Sequence, residues 1–197
     1  MSSGTDRGTS ATSRAGSTKQ RILAISRDLF ARQGFTGTTI ADIASELGTT
    51  TAALYYHFPS KADILRGLLT EPMAAYARIL DSMRAGQPSA AELLDAFIDL
   101  AGDSRELAVI IDRDPAVLAM IEEFLPMSSE QMTEQVVVAL AGPDADPAAT
   151  IRAYAAFAVI KGATMAAMSI GALDADGKLD PACRAEILDA ALRALNR

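Results

Sequence analysis

One histidine, His57, and one cysteine, Cys183, limit the chemistry open to this 197-residue chain. A zinc site built from His and Cys ligands is out of reach, because such sites need three or four of them. A nucleophile relay would need His57 beside a nucleophile and an orienting acid, yet it sits in the run Leu54-Tyr55-Tyr56-His57-Phe58. Cys183 has no second thiol for an internal disulfide, which fits a reducing compartment. Its position near a helix start admits a reactive thiol, but an incidental thiol is the plainer reading. The acids Asp112 and Asp114, and the adjacent Glu122 and Glu123, lack an imidazole partner. They read as solvated helix residues rather than a general acid–base pair. With no glycine-rich phosphate loop either, the expectation is a protein that is not an enzyme and needs no cofactor or metal.

Composition points the same way. Half the residues are hydrophobic and 22% are charged, so the chain has the apolar content for a core. No uninterrupted apolar run reaches the roughly 18–20 residues of a membrane span, and the N-terminus lacks the apolar core of a secretory signal. A cytoplasmic protein with no membrane partner is therefore expected. The net charge of −7 is uneven: residues 1–70 carry eight basic and five acidic side chains, the remainder ten basic and twenty acidic. A weakly basic head on an acidic body suits a nucleic-acid reader with a separate second domain, although ordinary scatter also produces such a difference.

The elements that must position these residues are helical. Residues 1–16, almost all Ser, Thr, Gly, Ala and Arg, are expected to form a disordered tail. Ser17 and Gln20 have capping-box spacing, and Ile22, Ile25, Leu29 and Phe30 mark one face of a first helix over 18–33, ended by Gly34. Thr39 with Asp42 starts a second short helix, and Gly48 ends it. Thr49 to Thr51 lead into a third segment that Pro59 closes, and Ser60 with Asp63 caps the next. Further helices are predicted over 73–85, 89–102, 104–112, 115–125, 128–141, 148–171 and 181–196, with breaks at Gly86-Gln87-Pro88, Gly142-Pro143 and 174–177. Sustained period-2 alternation is absent, so the fold class is all-α.

Two short helices joined at Gly48 make a helix-turn-helix candidate, in which the second helix enters the DNA major groove. The run TTIADIASELGTTTAALYYHFPSKADIL, residues 38–65, closely resembles the DNA-binding domain of the TetR family of transcriptional regulators. The preceding TKQRILAISRDLFARQGFTGTT matches the same family in pattern and spacing. The resemblance covers residues 17–70, and the body beyond matches only in size and helical character.

Thr50 or Thr51 can cap the recognition helix, whose free N–H groups favour phosphate or base-edge acceptors. Thr49 belongs to the same run. Tyr55, Tyr56 and His57 offer hydroxyl and imidazole donors to phosphates, with Tyr56 the more exposed tyrosine by spacing, while Leu54 and Phe58 pack inward. The resemblance implies that Lys61, Thr38 and Thr39 touch the DNA backbone. Ala52 and Ala53 stand where the family often has a glycine and a Thr or Ser. No Arg, Lys, Asn or Gln lies between Gly48 and His57, so readout must lean on threonine hydroxyls, thymine-methyl contacts from Thr51 or Ala52, and DNA shape.

The resemblance further implies a head over 17–63 that binds double-stranded DNA and a helical body over 64–197 for ligand binding and dimerisation. Phe97, Met120, Phe124, Tyr154 and Phe157 are candidates for an effector pocket, each with a core role as the alternative. The acidic body favours an apolar effector that is neutral or cationic. Helices 148–171, rich in Ala and Gly, and 181–196 are expected to form a homodimer interface. Pro72, in the helix that would link head to body, predicts a kink or break near Leu68 to Pro72. The function expected is a ligand-responsive repressor at a pseudo-palindromic operator. The alternative is a helical ligand-binding or adaptor module whose head no longer reads specific DNA.

Overall fold

The computed structural model describes residues 8–86, 88–174 and 178–196. These form α1 (Gly8–Gln33), α2 (Ile40–Leu47), α3 (Thr51–His57), α4 (Lys61–Gly86), α5 (Ala90–Asp103), α6 (Arg105–Arg113), α7 (Ala116–Phe124), α8 (Ser129–Ala141), α9 (Pro147–Ser169) and α10 (Pro181–Leu195). Strands are absent among the described residues apart from one isolated bridge, Leu173 to Leu179. The fold is all-α.

Local hydrogen bonding sets most of the helix starts. The boxes Thr39/Asp42, Ser89/Glu92 and Ser128/Gln131 all form, each side chain satisfying an N–H the helix leaves free. Asp146 and Asp180 cap α9 and α10 just before Pro147 and Pro181, whose missing N–H costs nothing in a first turn. Gly48 ends α2 at φ +70°, the left-handed conformation that a Cβ penalises.

Two expectations are corrected. α1 begins at Gly8 rather than after Ser17, so residues 8–16 continue the helix; residues 1–7 lie outside the described residues. Propagation from an established helix costs far less than nucleation, and Ala, Ser and Arg permit it without an apolar anchor. Of the kink or break expected near Leu68 to Pro72, the break is absent: α4 runs from Lys61 to Gly86 with Pro72 inside it. One backbone donor is lost there, and the ladder bonds on either side of the proline carry the helix across the gap.

The chain divides into two compact units. The first comprises the chain up to Thr70 together with Glu106–Ile121; the second comprises Glu71–Arg105 and Glu122–Arg197. The division falls inside α4, between Thr70 and Glu71, beside Pro72.

In the first unit Ile22, Phe30, Ile43, Leu54, Leu65 and Ile110 are all but inaccessible. Each contributes about 1.5–3 kcal/mol by burial. In the second unit α9 packs against α10, α8 and α5. α9 is long and apolar enough by length and composition to cross a bilayer. Arg152 and Lys161 interrupt its apolar run, and Ala153, Ala156, Phe157, Ile160, Thr164 and Ala167 bury one face of it. Arg184 of α10 ties to Asp95 and Asp99 of α5, with Nη2 2.8 Å from Asp95 Oδ1. Hydrogen bonds to Asp99 and Asp95 raise the guanidinium pKa above its ordinary value.

Candidate nucleic-acid interface and body cavity

The recognition helix is set by its ends. Thr50 Oγ1 accepts the Ala53 N–H at 3.2 Å, so of the two candidate caps it is Thr50 that acts. At the other end the Phe58 N–H donates to Leu54 O at 2.9 Å. Leu54 and Phe58 are 0% and 3% exposed, pinning one side of α3 into the unit. Thr49, Thr51 and Ala52 are exposed on its other side, with His57 half-buried. Tyr56 at 84% is more exposed than Tyr55 at 51%, and its ring meets His57 edge-on at 5.2 Å.

Three further candidates face inward or are already engaged. Thr38 is fully buried; its hydroxyl donates to Gly34 O at 2.8 Å and accepts from Gln33 Nε2 at 3.2 Å. Its hydroxyl is thus turned inward, against the expectation that Thr38 touches the DNA backbone. Thr39 uses its side chain to cap α2: Oγ1 donates to Asp42 Oδ2 at 2.7 Å and accepts the Asp42 N–H at 3.1 Å. The Thr39 hydroxyl and the Thr39 N–H, which both donate to Asp42 Oδ2, hold the Asp42 carboxyl below its usual range. Lys61 Nζ donates to Phe35 O and Thr38 O, both at 2.7 Å, and lies 4.3 Å from the Phe35 ring centroid. Desolvation there lowers its pKa, with Asp114 opposing the shift.

The turn between α1 and α2, which aims the helix pair, is held from several sides. Phe35 meets Phe30 edge-on at 5.1 Å. Arg113 Nη1 donates to Arg32 O at 2.8 Å, satisfying a carbonyl in the last turn of α1. Asp114 Oδ2 accepts the Thr36 N–H at 2.7 Å. These hydrogen bonds with Thr36 hold the Asp114 carboxyl below its usual range. A Cβ on Gly37 would stand 2.4 Å from Gln33 O, so the turn admits only glycine there. By sequence Asp114 reads as a solvated acid, because nothing near it in the chain marks a partner in the α1–α2 turn.

The pocket candidates separate. Phe97 and Phe157 meet at 5.1 Å, with Tyr76 6.2 Å from Phe97. The Tyr76 hydroxyl donates to Met132 O at 2.9 Å, and burial raises its pKa. Met120 belongs to the first unit and Phe124 to the second. Tyr154 is 46% exposed. None of the five lines a cavity of about 950 Å³ in the second unit. That cavity lies among α4, α5 and α8, with Leu80, Met83, Leu93, Met127 and Val138 supplying apolar wall. Gln131, Glu134 and Gln135 supply its polar side chains. The sequence signal for it was a polar stripe along α8, which by itself looks like any solvated face.

Residues 22–68 match the family model described as bacterial regulatory proteins, tetR family. The HTH-type transcriptional repressor KstR2 of Rhodococcus jostii is 32% identical over 59% of this chain and 58% of its own length. The chain thus spans little more than half of that relative. A putative transcriptional regulator from Saccharomonospora viridis, solved in complex with choline, superposes with a TM-score of 0.61 at 24% identity, over 88% of this chain and 95% of that one. The ketosteroid transcriptional regulator KstR2 of Mycobacterium tuberculosis gives 0.60 at 22% identity, over 90% and 93%. At those identities the likeness is one of fold, and it runs through the body as well as the head. These relatives are named as transcriptional regulators and not as enzymes. Residues 22–68 thus carry a domain of the kind described as bacterial regulatory proteins, tetR family.

Proposed function

We propose that the chain is a ligand-responsive transcriptional regulator, a repressor that binds a pseudo-palindromic operator as a homodimer. The observation that carries this reading is α3 itself. It is capped by Thr50 and pinned by Leu54 and Phe58, and it leaves Thr49, Thr51, Ala52, Tyr55 and Tyr56 exposed. The free N–H groups of its first turn and the tyrosine hydroxyls suit phosphate contacts, and Thr51 and Ala52 suit thymine methyls. Residues 17–63 are the reading head and 64–197 the body that binds effector and dimerises.

An exposed line along α9 supports the dimer. Ile151 is 68% exposed, Tyr154 46% and Ile170 81%, with Ala155, Ala158, Gly162 and Ala166 also exposed between them. Small and apolar side chains along one helix let a two-fold related copy approach closely, with α10 beside it. Two heads would then enter successive major grooves about 34–36 Å apart. A small effector in the body, apolar and neutral or cationic, would act by preferring a conformation whose heads are wrongly spaced. A regulator of this kind works in the bacterial cytoplasm, where the chromosome lies.

The adaptor reading draws on one observation, the absence of Arg, Lys, Asn and Gln from α3. Selection of bound duplexes from a random DNA pool at two salt concentrations separates the two. A two-fold symmetric site, bound less tightly as salt rises, is the expected result. Recovery of no sequence at low salt overturns the regulator reading in favour of the adaptor.

A further inference from the structure

We infer that the cavity among α4, α5 and α8 takes an amphiphilic organic cation, with Glu134 as its counter-charge. The inference rests on reading the body as an effector domain and adds the chemical class that domain accepts. Gln131, Glu134, Gln135 and Val138 follow at i, i+3, i+4 and i+7 along α8, and all four line the cavity. Val136 and Val137 bury the opposite side of α8 in the core, which leaves Gln131, Glu134 and Val138 exposed and Gln135 half-buried along the cavity. Such a face, set opposite buried Leu80 and Leu93, gives one wet end and one apolar wall.

Existing hydrogen bonds decide what the wet end has left. Gln131 Oε1 accepts the Ser128 N–H at 3.0 Å, in the cap of α8. Gln135 Nε2 donates to Met127 Sδ at 3.3 Å. The Glu134 carboxylate and the Gln135 carbonyl oxygen remain as acceptors, against the Gln131 amide N–H groups. Glu134 is the charged side chain among the described lining residues. An anion entering here would meet like charge with no basic partner among the described lining residues, while a cation meets both acceptors. Met83 and Met127 let the wall adjust to an alkyl body. The volume of about 950 Å³ lies within the range of small-molecule sites.

The test titrates the full chain, by calorimetry, with octyltrimethylammonium and with octanoate, both below micelle formation. The cation is expected to bind one per chain and about fivefold or more tighter than the anion. Glu134→Gln is expected to remove that preference and leave the fold intact, since the side chain is exposed. Ala139→Phe, which adds bulk to the wall, is expected to weaken both probes. Octanoate binding as tightly as the cation, a preference that survives Glu134→Gln, or failure of both probes to bind overturns the inference. DNA plays no part in this titration, so a head that selects no operator leaves its outcome intact, and a cavity that takes no cation leaves the operator result standing.

Discussion

Asp114 Oδ2 accepts the Thr36 N–H at 2.7 Å across 78 residues of sequence. The carboxylate at the start of the α6–α7 turn thereby fastens the turn from which α2 starts. Removing it in Asp114→Ala is expected to destabilise the first unit by about 1 kcal/mol, the scale of one charge-assisted bond at a partly wet site. The pH dependence has a definite sign. A carboxyl whose folded pKa is lowered stabilises the fold at pH values above its unfolded pKa. That contribution is lost as pH falls through the folded pKa. Wild type and variant should therefore differ in thermal midpoint at pH 6 and converge as pH drops below about 4. A difference that is constant with pH would contradict the assignment.

Lys61 fastens the same turn from α4, through Phe35 O and Thr38 O. Lys61→Met keeps the stem near the Phe35 ring and removes the donors, at an expected cost of about 1–2 kcal/mol in unfolding by denaturant. Because the ammonium is already engaged within the head, the slope of log affinity against log salt on an operator should change by well under one unit. A slope reduced by about one unit would make Lys61 a phosphate contact instead.

Tyr56 and Thr51 should separate affinity from specificity. Tyr56, 84% exposed, has a hydroxyl suited to a phosphate oxygen. Tyr56→Phe is expected to weaken operator and random duplex alike, by about 1 kcal/mol. Thr51→Ala should instead shift the preferred base at one operator position, by about 1–3 kcal/mol of discrimination. Competition binding on single-position operator variants distinguishes the two outcomes.

Pro72 interrupts the hydrogen-bond ladder of α4 without breaking the helix. Pro72→Ala restores the N–H and removes the ring, so the chain should gain about 1–3 kcal/mol in stability. Protection of the Pro72-flanking amides against hydrogen exchange should rise with it. No gain in either would mean that tertiary packing already compensates the lost bond.

Ser26 Oγ and Thr164 Oγ1 are buried with no hydrogen-bond partner. Ser26→Ala and Thr164→Val replace a desolvated hydroxyl with apolar atoms of similar size. Each is expected to raise stability by about 1 kcal/mol in denaturant titrations. A loss of stability would mean that each hydroxyl has a partner, such as a bound water.

What the sequence determined by itself was whatever is settled within about four residues. The boxes at Thr39, Ser89 and Ser128 and the left-handed Gly48 could be read directly, because donor and acceptor are neighbours in the chain. The helix-turn-helix followed from them, and so did the inward Leu54 and the outward Tyr56. Ser17 misled as a helix start because a capping pair is only one local option once a longer helix propagates through it. Tertiary structure decided the rest. Thr38 is buried and Lys61 engaged because a helix starting 23 residues later passes over the turn. Asp114 becomes a support only because α6 and α7 return to the head. Met120 and Phe124, four residues apart, fall in different units, and the cavity draws on α4, α5 and α8 together. Side-chain type gives the hydrogen-bonding capacity of each residue, but the partner that uses it arrives from a distant segment, and no local pattern encodes that meeting.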